Sequence, residues 1–272
     1  MRRLLRYLYE ILLKTRMRYS LDSLKHFSRI HRSITILKYL KTTKTDGLKE
    51  RNVLVLSPHP DDDIIGCGGT MYQYHLRGAR ITTVYMTDGR RGNSRYTEEE
   101  LVSVRKKEAM KASAIIGVEK TIFLDNRDLE LFPASKTISE LLEILRDSRP
   151  QAVFLPFLLD AHPDHVATNK ILLCAMKYFP SFVCYAYGIW SPLSSFNLSV
   201  DITPYIDVKR NALEEHKSQK EVFDITEASL SLSKYYSIVS GMYGYGNGKG
   251  WAEVYSVCPS EKYKKLAEAI GW

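Results

Sequence analysis

The sequence predicts an α/β domain: a Rossmann-like open, mostly parallel sheet with helices on both faces, preceded by a basic helical extension. Three observations predict it. Strand-like and helix-like segments alternate from Asn52 onward. The strand-like segments are short, apolar, β-branched runs, the pattern of strands covered on both faces. The charge also divides the chain in two, because residues 1–51 hold 14 Lys/Arg and 4 Asp/Glu while the remaining 221 carry a net charge of −2. The expected organisation is therefore an extension over 1–51 and one domain over 52–272. At 272 residues, 44% hydrophobic and 26% charged, the chain has enough apolar material for one sizeable core.

In the extension, Leu5, Leu8 and Leu12 fall at helical spacing, widened by Leu4, Ile11 and Leu13. Arg2, Arg3, Arg6, Lys14, Arg16 and Arg18 surround this stripe, and Ile34, Leu37, Tyr39 and Leu40 form a second apolar set. No apolar run reaches the ~20 residues that cross a bilayer. The charge-broken apolar stretches lack a small-residue cleavage site, so no secretory signal is expected. A basic amphipathic segment of this kind fits an anionic membrane surface; a helical arm packing on its own domain or on a partner subunit fits it as well. The expected location is cytoplasmic, with peripheral contact at the inner face of the membrane. No nucleic-acid partner is expected, and an oligomer is compatible with the arm.

In the domain, Val53–Leu56 reads as the first buried strand, and Gly66-Cys67-Gly68-Gly69 opens a helix that Gly78 ends. Strands are expected at 81–86, 121–124, 152–155 and 183–187, and helices at 98–116, 137–147 and 166–178. The run Glu98-Glu99-Glu100 suits a helix N-terminus. Cys67, Cys174, Cys184 and Cys258 form no C-x-x-C pair and read as buried free thiols, in a reducing compartment.

In open α/β sheets ligands sit beyond the carboxyl ends of the strands. His59-Pro60-Asp61-Asp62-Asp63 follows the first strand, and Asp160-Ala161-His162-Pro163-Asp164-His165 follows the strand at 152–155. Both clusters are thus expected at one rim. Catalytic zinc takes three N/O ligands and keeps an open position for water, and a His-x-x-Asp pair plus a His from the second loop supplies that number. Helix capping explains one aspartate of the first cluster, not three beside a histidine or the second His-Pro-Asp-His group. The glycines at 66–69 lack the G-x-G-x-x-G order and read as a close-packing device. The Gly241–Gly250 segment reads as a plain loop, or as a flap whose Tyr243 and Tyr245 stack on a ligand.

These motifs resemble the PIG-L/LmbE-like deacetylase family over about residues 52–225. Further matches are Arg105-x-x-Glu108, Asp128 and His216-Lys217-Ser218-Gln219. The resemblance implies zinc, or another divalent ion such as iron, bound by His59, Asp62 and His165. It implies Asp61 as general base, His162 as oxyanion stabiliser and proton donor, Asp164 as the carboxylate orienting His162, and Arg105 and Asp128 as sugar contacts. Two positions depart from the family pattern, which usually has Glu at Asp63 and often at Arg90. The shorter Asp63 puts one supporting hydrogen bond in question, and Arg90 with Arg91 suggests either a solvated loop or recognition of an anionic substrate group. The expected function is removal of an N-acetyl group from an N-acetylglucosamine-type sugar in a lipid-linked or surface-glycan precursor. The alternatives are a soluble GlcNAc glycoside of a thiol or antibiotic pathway, and a non-catalytic sugar-binding protein.

Overall fold

The computed structural model describes residues 48–179, 181–193 and 195–272, so the expected helical extension lies almost wholly outside the described residues. Seven strands form one sheet in the order β3-β2-β1-β4-β5-β7-β6. They are β1 (Asn52–Ser57), β2 (Arg80–Thr87), β3 (Lys120–Asn126), β4 (Ala152–Pro156), β5 (Val183–Tyr187), β6 (Leu198–Asp201) and β7 (Ala252–Pro259). The first five run parallel, and β7 pairs antiparallel with both β5 and β6. The helices are α1 (Asp62–Leu76), α2 (Glu98–Ile116), α3 (Ser135–Ser148), α4 (Pro163–Ala175), α5 (Ile206–Glu214), α6 (Lys217–Lys220), α7 (Ile225–Met242) and α8 (Ser260–Ala269). None of the described helices is long and apolar enough to cross a membrane.

The burial of β1 explains its composition. Leu54 and Leu56 belong to the core on one face, Val53 and Val55 to the core on the other, and all four are essentially inaccessible. A strand between two cores gains from apolar residues at every position, which is why the run does not alternate. Chain order reverses around β1, flanked by β2 on one side and β4 on the other. The carboxyl ends of β1 and β4 therefore frame the switch-point crevice in which such sheets hold their ligands. Both His/Asp clusters leave the sheet there.

The first helix begins at Asp62, four residues before the expected Gly66, and is broken at Cys67 by non-helical dihedrals. At Gly66 a Cβ would come within 2.5 Å of the Tyr187 ring, so only glycine permits this approach. The break frees backbone groups that a buried ion pair satisfies. Glu253 accepts from the amides of Gly69 (3.0 Å) and Thr70 (2.8 Å), while Lys209 Nζ donates to Ile65 O (2.8 Å) and pairs with Glu253 (2.7 Å). Helix α2 is opened by a capping box in which Thr97 and Glu100 satisfy each other's amides. The chain before β1 also packs on the domain: Leu48 is buried, and Glu50 accepts from Tyr74 (2.6 Å) and Tyr185 (2.8 Å). All four cysteines are free, three of them buried.

Candidate metal and catalytic centre

The loop after β1 turns on itself so that its polar side chains converge. The Asp61 amide donates to His59 O (2.9 Å), and Asp61 opens α1 without making a side-chain cap. Its carboxylate is thereby left for the cleft. Asp62 Oδ2 accepts from the His59 amide and lies 2.9 Å from His59 Nδ1 and 3.1 Å from His165 Nε2. One carboxylate oxygen thus joins the three expected ligands. The rings of His59, His162 and His165 form a triangle with centroids 4.6, 5.3 and 5.2 Å apart. Donor atoms of His59, His162 and His165 lie within 4.8 Å of one another, as do those of His59, Asp128, His162 and Asp164.

The donor set fits a divalent cation. Both ring nitrogens of His165 are fully buried and lack an aligned hydrogen-bond partner, although Asp62 and Asp160 carboxylates stand at 3.1 and 3.5 Å. Five buried carboxylates (Asp61, Asp62, Asp128, Asp160 and Asp164) surround the histidines with Arg105 as the fixed cation among them. Burial would raise the Asp62 carboxyl, but His165 and His59 hold it well below the ordinary range. The two histidines respond in the opposite sense. Burial disfavours their charged forms, yet the facing Asp62 raises both, His165 to about 9. Such a cluster has a place for positive charge, and two imidazoles with a carboxylate form a zinc-type ligand set.

The carboxylates behind the ligands are distributed differently from the expectation. The Asp164 carboxylate does not orient His162; it lies 3.2 Å from His59 Nε2 and accepts from the Leu129 amide (2.8 Å). Helix α4 begins at Pro163, so its first turn aims Asp164 at the β1 loop. His162 is held instead through its Nδ1, which accepts from the Asp164 amide (3.2 Å). That assignment places the ring proton of neutral His162 on Nε2, available as a donor. Burial, with His59 and His165 nearby, lowers the His162 pKa. Asp160, given no role by the sequence, backs His165 and accepts the amides of His162, Ile189 and Trp190. Leu129 sits at φ 64, a left-handed conformation that costs a leucine ~1 kcal/mol or more, held by its bond to Asp164.

Arg105 reaches the site from α2. Its Nη2 lies 3.0 Å from Asp61 Oδ2, its Nη1 donates to Gly89 O (3.1 Å), and its Nε is buried without a partner. A Cβ at Gly89 would meet this guanidinium at 2.5 Å. Burial raises the Asp61 carboxyl above the ordinary range against the pull of Arg105. Asp128 lies 3.4 Å from His59 Nε2 and accepts from the Arg91 amide, with its pKa near 2: burial opposes the lowering, and the bond to His59 outweighs it. Both residues line a cleft of about 350 Å³ with His59, Asp61, Asp62 and His162.

The structure bears on three alternatives that the sequence leaves open. Asp63 finds a direct partner, because Tyr85 OH donates to it (2.9 Å) and spans the missing methylene. Arg90 is committed to Asp88 (2.6 Å) and Glu98 (3.1 Å), so it is a loop-bracing residue. Tyr243 and Tyr245 do not line the cleft; the aromatic residues there are Trp190, stacked on His162 at 5.7 Å, and Phe223. Gln219 lines it too. The His-Lys-Ser-Gln match hinted at Gln219, whereas no local pattern marks Trp190 or Phe223.

A buried His/Asp cluster at the switch point of an open α/β sheet, with a carboxylate beside it, is the architecture of a metal-dependent hydrolase. Residues 54–176 match the family model described as PIG-L, GlcNAc-PI de-N-acetylase. The chain is 29% identical over 213 residues to a diacetylchitobiose deacetylase of Thermococcus kodakarensis, covering 70% of this chain and 79% of that one. It is 29% identical over 188 residues to a probable N-acetyl-α-D-glucosaminyl L-malate deacetylase of Bacillus anthracis, covering 62% and 82%. The structure of N,N'-diacetylchitobiose deacetylase from Pyrococcus horikoshii superposes with a TM-score of 0.69 at 25% identity, covering 90% of this chain and 95% of that one. Residues 54–176 thus carry a PIG-L-type domain, and the chain is similar over most of its length to deacetylases of N-acetylglucosamine-type sugars.

Proposed function

We propose that this protein is a zinc-dependent N-deacetylase acting on an N-acetylglucosamine-type sugar. The observation that carries the reading is the single Asp62 oxygen shared by His59 Nδ1 and His165 Nε2, with Asp61 next in sequence and bonded to Arg105. His59, Asp62 and His165 would hold the ion, which would polarise the amide carbonyl and lower the pKa of water at the site. Asp61 takes the proton of the attacking water. Its raised pKa suits a base, and Arg105 fixes its direction. His162 donates from Nε2 to the oxygen that gains charge, and the proton collected by Asp61 passes to the departing nitrogen. Acetate and a free amino sugar result. Asp164 and Asp160 keep the two ligand imidazoles aimed, as carboxylates behind metal-bound histidines do. Asp128 and Arg105 contact the sugar.

The finer reading is a lipid-linked or surface-glycan precursor, approached at the inner face of the membrane. It is supported by the 14 Lys/Arg in residues 1–51. The test is acetate release from free, nucleotide-, inositol- and lipid-linked N-acetylhexosamines, with metal content measured in parallel. Release from at least one class, lost with the metal in His165→Ala, is expected. A His165→Ala protein that keeps both its metal and its turnover contradicts the ligand assignment.

A further inference from the structure

Part of the cleft lining takes no part in the chemistry. Beside the His/Asp cluster it is formed by Ile65, Ile189, Phe223, Ile225, Leu232 and Trp190, the last stacked on His162. The ion-binding floor is buried, with His59, Asp61 and Asp62 each under 10% exposed, whereas the rim is open: Leu129 is 47%, Phe223 48% and Trp190 57% exposed. Single exposed apolar residues are ordinary, but contiguous ones beside a cleft mark a binding surface. The row continues out of the cleft along α7. At 3.6 residues per turn, Ala228 and Leu232 share one helix face with Tyr235, Val239 and Met242. Ala228 and Leu232 line the cleft, while Tyr235 is 57% and Met242 78% exposed. From Ala228 to Met242 this face runs about 21 Å.

Charge disfavours one kind of occupant. Among the described residues lining the cleft there is no lysine, and its two arginines are engaged: Arg105 with Asp61, and Arg91 with Glu130 (2.9 Å). An anionic aglycone would therefore compete with a carboxylate for either cation. A short acyl group ends at the floor, where its carbonyl must reach the His/Asp cluster. The part of the substrate that arrives at the rim is the part distal to the amide.

We propose that this apolar wall and the adjoining face of α7 form a subsite for an apolar aglycone, an alkyl or prenyl chain borne by the amino sugar. The inference rests on the deacetylase reading and specifies which substrates that site prefers and which residues select them. Trp190 covers the sugar–aglycone junction, Phe223 and Leu232 flank the first carbons, and Tyr235 to Met242 carry the rest of the chain. Burial of methylene groups supplies the preference.

The experiment uses the full-length, zinc-loaded protein with methyl, butyl and octyl 2-acetamido-2-deoxyglucosides below their micellar concentrations, N-acetylglucosamine 1-phosphate, and a methyl glucoside bearing N-octanoyl in place of N-acetyl. The octyl glucoside is expected to exceed the methyl in kcat/KM at least tenfold, with butyl between them and the 1-phosphate lowest. Leu232→Ser and Tyr235→Ser should each cut the octyl-to-methyl ratio several-fold. Calorimetric titration of Asp61→Asn with the same glucosides reads the subsite without turnover, again with octyl binding at least tenfold tighter than methyl. Equal binding and equal kcat/KM for methyl and octyl overturn the proposal. A preference for the N-octanoyl compound overturns it too, by giving the wall to the acyl group. If the α7 substitutions split an oligomer and leave the ratio unchanged, the face is an interface between copies and the proposal falls. Acetate released from none of the glucosides, with octyl still binding tightly to Asp61→Asn, refutes the deacetylase reading and upholds the apolar subsite.

Discussion

Asp61 and Asp62 are neighbours in sequence with opposite electrostatic fates. Asp62 faces two imidazoles and is held well below the ordinary carboxylate range, as an ion ligand should be; Asp61 faces Arg105 and is raised by burial. Asp61→Asn keeps the carboxamide in place and removes only the basic oxygen. It should retain bound metal while kcat falls by about 10²- to 10⁴-fold, and unchanged kcat would exclude Asp61 as the base. Asp164→Asn tests the corrected position of that carboxylate. Because Asp164 backs His59, the substitution should weaken metal affinity by about 10- to 100-fold; a variant with unaltered affinity and a lower kcat would return Asp164 to His162. His216 offers a pH test outside the metal cluster. It is buried with both ring nitrogens unpartnered, and burial, then Arg105, lowers its pKa to about 3. The unfolded chain takes up this proton near the ordinary histidine value of ~6.5. Between those values the unfolded state binds more protons, so stability is full above ~6.5 and declines as pH falls toward 3. His216→Phe should flatten the pH dependence of unfolding free energy in that window, and an identical slope would show that His216 does not contribute.

At the scale of elements, the break in α1 is what brings Asp61, Asp62 and the Gly66 approach to Tyr187 into one turn. Lys209 and Glu253 hold that break from β7 and α5. Glu253→Gln leaves a buried lysine uncompensated and should cost ~3–5 kcal/mol in chemical denaturation; a loss below ~1 kcal/mol would mean the break is held otherwise. The same device shows what a single sequence hides. The first five strands were legible because each is an apolar run bounded by turn residues. The strand Ala252–Pro259 was not read, because Glu253 interrupts its apolar pattern, and Leu198–Asp201 is only four residues long. The helix start was misplaced for a related reason. Three aspartates resemble a loop until tertiary partners, Tyr85 on Asp63 among them, are known to satisfy them.

At the scale of the molecule, the topology explains why two motifs a hundred residues apart make one site. Parallel β1 and β4 are neighbours at the reversal of chain order, so the loops that follow them must meet. The convergence of His59, Asp62 and His165 was legible because it depends on strand order and motif spacing. The placement of Asp164, the part played by Asp160 and the apolar wall were not, since they depend on where side chains point. The basic extension remains a proposal at this scale. Deleting residues 1–45 should abolish binding to anionic liposomes and spare hydrolysis of a soluble glucoside; retained liposome binding would contradict a membrane role for the arm. The central claim, one ion held by His59, Asp62 and His165 at an amide-cleaving site, is tested most directly by adding Zn²⁺ to the metal-stripped protein while acetate release is followed. No release is expected at the start, followed by a linear rise that levels off at about one equivalent; full activity before any metal is added would rule out an ion-dependent site.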